Sequence, residues 1–535
     1  MTTLLLLLIL VPMVGALVSA LLPGGVSRYW ALGTSLTVAA IAVVLGFNFD
    51  WQPAATSVES SVQFSGVLAS VDRFGFALSL GVDSIALWLI MLTALLVPLA
   101  VAASFAPIKT KEPAYYAWLL LLLAAMMGVF VARDVLLFYI FFELTLIPVF
   151  FLIGVWGGET RREAATKFFL FTFVGSVFTL AALLFLAAKA GTFDLITVIA
   201  TAQQLPGEVQ FWVMLGLLAG FAVKVPLVPL HTWQALTYSA APAAVTVLLS
   251  GVLAKLGTFG LLRIVVPAGL VSDGGIPEFA SGVIHILGLL CLVAIIYGGL
   301  IAWVQRDMKK LVAFSSLSHL GFCVLGLLAF NVIGVQGSVF YMLNHGISTG
   351  AMFLVIGMIY DRYQTRDIDA LSGLGAVMPK LAFFFVLFVM ASIGLPGTNG
   401  FVSEFLAILG AFVSQTLGIG FGVIAAIGVI LGAVYMLHMT AKIIFGPLKR
   451  PESSDDLRED LSLRELAILT PLAVIVIVLG VLPKPLLDSV RDEALLAITP
   501  MTSAEGIELP PTATQGPIRV VQLDDSSDTF VEALR

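Results

Sequence analysis

The stretch that decides the fold reads Phe221-Ala-Val-Lys224-Val-Pro226-Leu-Val-Pro229-Leu-His231-Thr-Trp233. Lys224 follows a long apolar run, which places its charge at the depth of a membrane helix. A lysine at the centre of a bilayer costs about 2.5–3.5 kcal/mol on insertion scales. Pro226 and Pro229 each lack a backbone donor and clash with the preceding turn, so the helix is predicted to break after the lysine. Because non-helical backbone at that depth is tolerated only inside protein or beside water, this segment is the first functional candidate.

The composition around this stretch is that of a polytopic membrane protein. The chain has 535 residues, of which 60% are hydrophobic and only 11% are charged, and its mean hydropathy is +1.07. These values predict an all-α membrane protein of about fourteen transmembrane helices. Residues 49–79 are expected to form a surface loop. The predicted spans are 3–22, 30–48, 80–106, 115–132, 134–155, 166–189, 210–230, 242–266, 281–303, 309–329, 334–359, 380–410, 417–445 and 465–484.

The charged loop residues predict the orientation of these spans. With fourteen spans, most lysines and arginines fall on one side, which the positive-inside rule assigns to the cytoplasm or stroma. Both termini are then expected on the lumenal or periplasmic side. Nothing in the chain is basic enough to indicate nucleic-acid binding. The two cysteines, Cys291 and Cys323, lie in separate spans without metal-ligand spacing, so neither a metal nor any other cofactor is predicted.

Four ionisable residues lie within predicted spans: Glu143 in the fifth, Lys224 in the seventh, Lys255 in the eighth and Glu404 in the twelfth. Intramembrane charges are functional candidates, and chains of Glu, Lys and His suit a proton relay. A carboxylate that moves relative to a buried lysine changes the proton affinity of that lysine. The alternatives are structural ion pairing and, for Lys224, a side chain that reaches the interface from a helix end.

The five histidines divide into two groups. His319 and His345 are candidate relay members, and His231 follows the first helix break. His285 and His438 are interpreted as ordinary polar residues near helix ends.

A second break predicts an internal repeat. Ser392-Ile-Gly394-Leu-Pro396-Gly397-Thr-Asn-Gly400 interrupts the twelfth span just before Glu404. If spans four to eight and nine to thirteen form two units, the broken spans occupy matching positions, and the odd span number makes the units inverted. Paired broken helices in inverted repeats indicate a transport site. The predicted division is 1–114 for the first three helices, 115–266 and 281–445 for the repeats, 465–484 for the last helix and 485–535 for a polar, acidic tail.

These motifs resemble the antiporter-like proton-pumping subunits of respiratory complex I and of its photosynthetic relatives, a family shared with Mrp-type Na⁺/H⁺ antiporters. The resemblance covers roughly residues 80–484. Glutamate at 404 is similar to the M branch (NdhD in cyanobacteria and chloroplasts), whose sister subunits usually carry lysine there. The segment Val377-Met-Pro-Lys380 looks like the photosynthetic members of that branch. The motifs are Phe142-Glu143-Leu, Ala164-Ala-Thr-Lys167-Phe, Val223-Lys224-Val-Pro226, His231-Thr-Trp233, Lys309-Lys310-Leu, Ser315-Ser-Leu-Ser-His319, Asn344-His345-Gly and Leu395-Pro396-Gly.

The resemblance implies roles for the candidate residues. Glu143 and Lys224 would form a switching pair, Lys255 a central relay, and Glu404 a distal site that hands protons onward. It also implies roles for the three histidines His231, His319 and His345.

One segment departs from the family pattern. After the His-Thr-Trp motif the family usually continues Leu-Pro-Asp-Ala-His, whereas this chain has Gln234-Ala-Leu-Thr-Tyr238-Ser-Ala-Ala-Pro242. A proline, a carboxylate and a histidine are missing. The departure indicates either a rebuilt loop near a half-channel or a specialised paralogue, such as an inorganic-carbon-uptake variant.

The first functional hypothesis is therefore a proton-translocating subunit of a quinone-reducing NAD(P)H or ferredoxin dehydrogenase, in a thylakoid or bacterial inner membrane. The chain has no dinucleotide fingerprint, P-loop or cysteine cluster, so redox chemistry is expected in other subunits. Expected partners are the sister membrane-arm subunits, lipid and, for a carbon-uptake complex, a carbonic-anhydrase-like subunit. The alternatives are an Mrp-type Na⁺/H⁺ antiporter subunit and a membrane scaffold of an inorganic-carbon-uptake complex.

Overall fold

A computed structural model describes residues 1–51, 61–71, 75–272, 275–450 and 459–499. Among the described residues, thirteen helices are long and apolar enough to cross a membrane, and two shorter apolar helices lie on either side of the predicted second break, which we count together as one broken span. The predicted number of spans is therefore confirmed within the described residues. Spans one to eight are Thr2–Leu21, Gly24–Asn48, Ser84–Ala103, Glu112–Val131, Val135–Trp156, Arg161–Ala190, Gly207–Lys224 and Ala243–Gly269. Spans nine to fourteen are Glu278–Trp303, Met308–Leu327, Val332–Tyr363, the pair Pro379–Ser392 and Asn399–Phe412, Ile419–Ile444 and Leu463–Val481.

Several shorter helices connect or follow the spans. The segment that departs from the family pattern forms a helix between spans seven and eight. Two further short helices follow span fourteen, so the start of the predicted polar tail is folded. Residues 500–535 of that tail lie outside the described residues. The short helices are Leu195–Gln203, Gln234–Ala240, Ile368–Ala370 (a 3-10 turn), Leu374–Val377, Lys484–Ser489 and Arg491–Leu496.

The described part of residues 49–79 is a β-hairpin as well as a loop, which corrects the sequence expectation. Strands β1 (Gln63–Val71) and β2 (Phe76–Val82) pair antiparallel. In β2 the apolar residues Phe76, Leu78, Leu80 and Val82 alternate with smaller ones, which is the periodicity of a strand with one buried face. This signal was overlooked because the surrounding sequence is polar.

The spans that carry most of the polar side chains are also the most buried. We compared the most apolar 18 residues of each helix. Of these residues, 100% are buried in span eight, 94% in span eleven and 89% in span ten. In spans two, thirteen and fourteen only 33% are buried. Buried polar groups must be paired, because the bilayer offers them no water. The protein therefore has a polar interior surrounded by apolar helices whose outer faces suit lipid or neighbouring subunits.

Two matching sets of hydrogen bonds support the predicted internal repeat. Asp134 caps the start of span five, and Asp307 caps the start of span ten, each through backbone N–H groups of the first turn. Since five spans separate these caps, they lie on opposite faces of the membrane, as an inverted repeat requires. The flanking backbone bonds also correspond: Val135 to Phe193 and Leu195 to Arg133 in the first unit, Met308 to Arg366 and Ile368 to Arg306 in the second. The proposed domain boundaries stay predictions.

Both predicted helix breaks are present. The helix of span seven ends at Lys224, and regular helix resumes at Gln234. The indole N–H of Trp233 donates to the carbonyl oxygen of Val223 at 3.0 Å, so it satisfies a backbone acceptor near the broken helix end. Span twelve is interrupted between Ser392 and Asn399. Both breaks are held by hydrogen bonds, and so they are fixed features of the fold.

We expect Gly400→Ala to destabilise the broken span twelve. A Cβ atom at Gly400 would overlap the backbone carbonyl oxygen of Ala391, and neither backbone can move without repacking the break. Forced overpacking of this kind costs about 1–3 kcal/mol. The thermal unfolding midpoint of the purified complex should fall. The matched control is Gly420→Ala in span thirteen, where a Cβ atom meets nothing within 4 Å; an equal effect of both substitutions would contradict the prediction.

Candidate functional site

Lys224 is buried against the interrupted middle of span five. Its Nζ donates to the carbonyl oxygen of Phe142 at 2.9 Å and to the hydroxyl of Thr145 at 3.0 Å. It also lies 3.4 Å from the centroid of the Phe142 ring, within the range of a cation–π interaction. Span five consists of two helices that meet at Thr145, which exposes these groups to the lysine. The side chain is only 2% exposed, so it does not reach the interface from a helix end.

Glu143 lies close to Lys224 without touching it. The two side chains interact electrostatically, but they form no direct ion pair within the described part of the chain. Ser176 of span six also interacts with Glu143, and one carboxylate oxygen, Oε1, has no hydrogen-bond partner among the described residues. The carboxylate and the lysine are therefore electrostatic neighbours that are not in direct contact.

Lys255 is fully buried and shares a short hydrogen bond with His345. Its Nζ lies 2.5 Å from His345 Nδ1 and 2.5 Å from the carbonyl oxygen of Ser250. A charged ammonium can donate to a neutral imidazole, and a protonated imidazole can donate to a neutral amine. The hydrogen bond can therefore form whether the proton is on Lys255 Nζ or on His345 Nδ1. Span eight is π-helical at Leu249–Leu253 and Leu261–Val265, on either side of Lys255, and such segments are frequent at functional sites.

A second hydrogen-bonded group ends at Glu404. His319 Nδ1 lies 2.5 Å from the hydroxyl of Tyr341, and that hydroxyl lies 2.9 Å from Glu404 Oε1. The histidine is also 3.4 Å from the same carboxylate oxygen. Gly394 lies in the break of span twelve and has a φ of +72°. It faces the carboxylate of Glu404, and a side chain at this position would collide with that carboxylate. The break thus makes room for Glu404.

The two groups meet at a pair of histidines. The ring centroids of His319 and His345 are 5.8 Å apart. Both line a cavity of about 20 Å³, which is enough for one water molecule. Within the part of the chain that the structure describes, three polar atoms on its walls have no hydrogen-bond partner, namely His345 Nε2, Asn344 Oδ1 and Ser392 Oγ. Lys255, His345, His319, Tyr341 and Glu404 thus form one polar series through the buried interior, which we call the central row.

The remaining histidines lie outside the central row. His231 is buried near Tyr297 of span nine, with ring centroids 5.5 Å apart, and no contact joins it to Lys255 or Glu404. His285 and His438 are exposed, in agreement with their interpretation as ordinary polar residues. The described residues contain no group of three or more His, Cys, Asp or Glu side chains that could hold a metal ion.

Several buried polar residues were missed from the sequence. Tyr341 joins His319 to Glu404, and its spacing to Asn344 and His345 on one helix face could have indicated it. Lys309, at the predicted start of span ten, was not among the candidate residues, yet it is only 5% exposed and donates to the carbonyl oxygen of Ala241. Lys309 also lines a cavity of about 330 Å³ that reaches the end of the connecting helix Gln234–Ala240 and the start of span eight.

The segment that departs from the family pattern is packed into this interior. Gln234 donates to Ser316 of span ten at 3.4 Å, and the hydroxyl of Tyr238 donates to the carbonyl oxygen of Leu249 at 3.3 Å. Arg366 donates to the carbonyl oxygen of Ser239 at 2.7 Å. The segment is therefore a well-bonded connection between spans seven and eight.

Tyr341→Phe should interrupt the central row without changing its packing. The substitution removes one hydroxyl that contacts both His319 and Glu404, and the phenyl ring keeps its place between them. If protons pass along the row, the rate of proton translocation should fall about tenfold or more, as expected for loss of a positioned proton carrier. Dye-reported acidification of vesicles measures this rate. Tyr29→Phe, at an exposed tyrosine, is the control, and an unchanged rate in Tyr341→Phe would exclude the hydroxyl from the path.

Comparisons with known proteins agree with this architecture. The family model described as NADH:quinone oxidoreductase/Mrp antiporter, transmembrane, matches residues 132–448. NADH-quinone oxidoreductase subunit M of Rhodobacter capsulatus is 43% identical over 77% of this chain and 80% of its own length. NADH-ubiquinone oxidoreductase chain 4 of Chondrus crispus is 37% identical over 90% of this chain and 95% of its own.

Solved structures extend the comparison to the whole fold. A chain of respiratory complex I from Thermus thermophilus superposes with a TM-score of 0.81 at 28% identity, covering 93% of this chain and 99% of that one. A chain of the Mrp complex from Dietzia sp. DQ12-45-1b gives a TM-score of 0.80 at 22% identity over 94% of this chain and 98% of that one, a likeness of fold alone.

Proposed function

Because the chain belongs to the family of NADH:quinone oxidoreductase and Mrp antiporter membrane subunits, we propose that it is the proton-translocating M-type subunit of a quinone-reducing complex. Its relatives are named as subunits of NADH-quinone oxidoreductase. The chain would move protons through its buried side chains while other subunits carry out the redox chemistry. Its partners would be the other membrane-arm subunits, including sister antiporter-like chains, and lipid.

The observation that carries the proposal is the central row. Five ionisable or hydroxyl side chains from spans eight, ten, eleven and twelve lie in sequence inside an apolar helix bundle. Burying such groups costs free energy that stability alone does not repay, so their concentration favours a transport role. Each neighbour can accept or donate a proton, which suits transfer in either direction.

Lys224 and Glu143 would control access to this row. When Glu143 approaches Lys224, the negative charge favours the protonated lysine; when it moves away, burial favours release of the proton. A proton released by Lys224 would pass towards Lys255, and Glu404 would hand it onward at the far end of the row. His231, beside the break of span seven, would act near the first half-path.

The proposal also includes the orientation of the chain in the membrane and the kind of membrane that contains it. The loop charges favour both termini on the periplasmic or lumenal side, in a bacterial inner membrane or a thylakoid membrane. The motif similarity to NdhD favours a plastoquinone-reducing photosynthetic complex, whereas the names of the relatives reported above are respiratory. Mass spectrometry of the complex purified through a tag on this chain would decide between them. A ferredoxin-binding or carbonic-anhydrase-like subunit in the complex would support the photosynthetic branch, and their absence together with an NADH-oxidising module would refute it.

The principal experiment is reconstitution of the assembled complex into vesicles. Proton translocation should follow quinone reduction, proceed without Na⁺ and collapse with a protonophore. The Mrp fold similarity makes sodium–proton exchange the second candidate. Exchange that needs Na⁺ and no electron donor would replace the first proposal with the second.

A further inference from the structure

Three buried charged residues outside the central row meet at the opposite end of span eight from the 330 Å³ cavity. Asp83 precedes span three, Arg263 lies in the second π-helical segment of span eight, and Glu493 lies in the short helix Arg491–Leu496 after span fourteen. Their exposed fractions are 3%, 8% and 1%. The three residues come from separate elements of the fold. Leaving any of these buried charges unpaired would cost free energy, so their meeting is a specific feature of the packing.

The contacts give the two carboxylates different roles. Asp83 forms an ion pair with Arg263 and accepts from the N–H of Ala86 at 2.9 Å, so it caps span three. Glu493 accepts from the hydroxyl of Ser84 at 2.8 Å and from the N–H of Ser84 at 3.4 Å, and it makes no direct ion pair with Arg263 among the described residues. Asp83 is therefore held as the charged partner of the arginine.

The charges of this cluster favour a proton on Glu493. Arg263 pairs directly with Asp83 and not with Glu493, so an ionised Glu493 would be a buried carboxylate with no direct cationic partner among the described residues. Burial, together with the charge of Asp83, raises the pKa of Glu493 to about 7, while Arg263 and the Ser84 hydrogen bond oppose the rise. Arg133, which interacts with Asp83, and the neighbouring Asp492 complete the charged surroundings. Glu493 therefore holds a proton below about pH 7 and releases it above.

The cluster shares span eight with Lys255, and hydrogen bonds hold its C-terminal segment against spans three and eleven. Arg263 lies eight residues beyond Lys255 on span eight, a distance of about 12 Å along a helix. It lines a cavity of about 20 Å³ together with Arg133 and Thr499. The segment that carries Glu493 is bound to span three by Trp88 and Ser489 at 2.9 Å, and to span eleven by Gln336 and Leu487 at 2.7 Å.

We propose that Glu493, with Asp83 and Arg263, forms a proton-exchange site where span eight meets the face that carries both termini. The proposal rests on the proposed function, since the site would pass protons between the interior near Lys255 and the aqueous phase. Glu493 is the proton carrier; Ser84 positions it, and the charges of Arg263 and Asp83 act on its proton affinity. No bond other than that to the proton forms or breaks.

The first test measures proton binding independently of pumping. In the purified complex, infrared difference spectra between pH 5 and pH 9 should contain a protonated-carboxyl C=O band with a midpoint near pH 7. Glu493→Gln should remove the band, and Asp488→Asn, at an exposed carboxylate in the same segment, should retain it. A missing band in the unaltered complex, or a band that survives Glu493→Gln, would overturn the site.

The second test measures its role in transport. Glu493→Gln should slow quinone-coupled proton translocation about tenfold, as for loss of a positioned proton carrier. A rate equal to that of the unaltered complex would overturn the exchange role. If Glu493→Gln fails to assemble, Ser84→Ala serves instead: removing its hydroxyl should move the midpoint of the infrared band to higher pH, and an unmoved band would count against the site. Proton translocation that stays intact in Lys224→Met would count against the proposed function, whereas the infrared band of Glu493 tests the proton-binding site separately.

Discussion

Lys224→Met should abolish proton translocation in the assembled complex. Methionine fills nearly the same volume and keeps the packing against Phe142, but it cannot hold a proton or donate to the carbonyl oxygen of Phe142 and the hydroxyl of Thr145. If Glu143 gates the row through this lysine, its removal leaves no group whose proton affinity the carboxylate can change. We expect a loss of at least a hundredfold in pumping rate, within the range of an essential proton carrier.

The measurement is proton uptake into vesicles at a matched rate of electron input. Lys189→Met is the control, because Lys189 is an exposed lysine at the end of span six. The amount of assembled complex must be equal in both variants. Pumping and coupled quinone reduction that remain intact in Lys224→Met would refute the role of this residue and, with it, the proposed gating mechanism.

Glu404→Gln should stop transfer at the far end of the central row. The amide keeps the size of the carboxylate and a carbonyl oxygen that can accept from Tyr341, but it cannot take a proton from His319. We expect a fall of about a hundredfold in translocation. The protein should still fold, because a neutral amide is easier to bury than a carboxylate.

The infrared and vesicle measurements separate this effect from a general loss of stability. Glu208→Gln at the exposed start of span seven is the matched control. Glu404→Asp offers a further comparison, because it retains the charge but withdraws the carboxylate from Tyr341. A partial recovery of pumping in Glu404→Asp would support a proton-carrying role. If Glu404→Gln and the unaltered chain translocate protons at equal rates, Glu404 does not carry protons and the central row ends at Tyr341.

The number of spans, their positions and the two breaks were predictable because they depend on local sequence. Long apolar runs predict spans, and Pro226, Pro229 and the glycine-rich segment 392–400 predict breaks. The burial of Lys224, Lys255 and Glu404 was also predictable, since each lies in an apolar run. The β-hairpin and the folded start of the C-terminal tail were not recognised, because their hydrophobic signals are short and surrounded by polar residues.

The sequence alone did not predict which buried side chains contact each other. The short bond between Lys255 and His345 joins residues ninety positions apart, and no periodicity relates them. Glu143 was expected to meet Lys224, yet the lysine bonds to Phe142 and Thr145 instead. Such choices depend on how far each helix is interrupted and rotated. The roles of all these residues in transport stay predictions until the variants are measured.

The π-helical segments around Lys255 have a consequence for how this chain can vary in length. A π-helical turn contains one residue more than the α-helical turn that it replaces. Deleting one residue within Leu249–Leu253 can therefore restore ordinary α-helix and leave the rest of span eight in register. A deletion within Ala254–Gly260 would instead turn every following side chain by about 100°. Among natural variants of this protein, length changes in span eight should thus be confined to the segments on either side of the lysine.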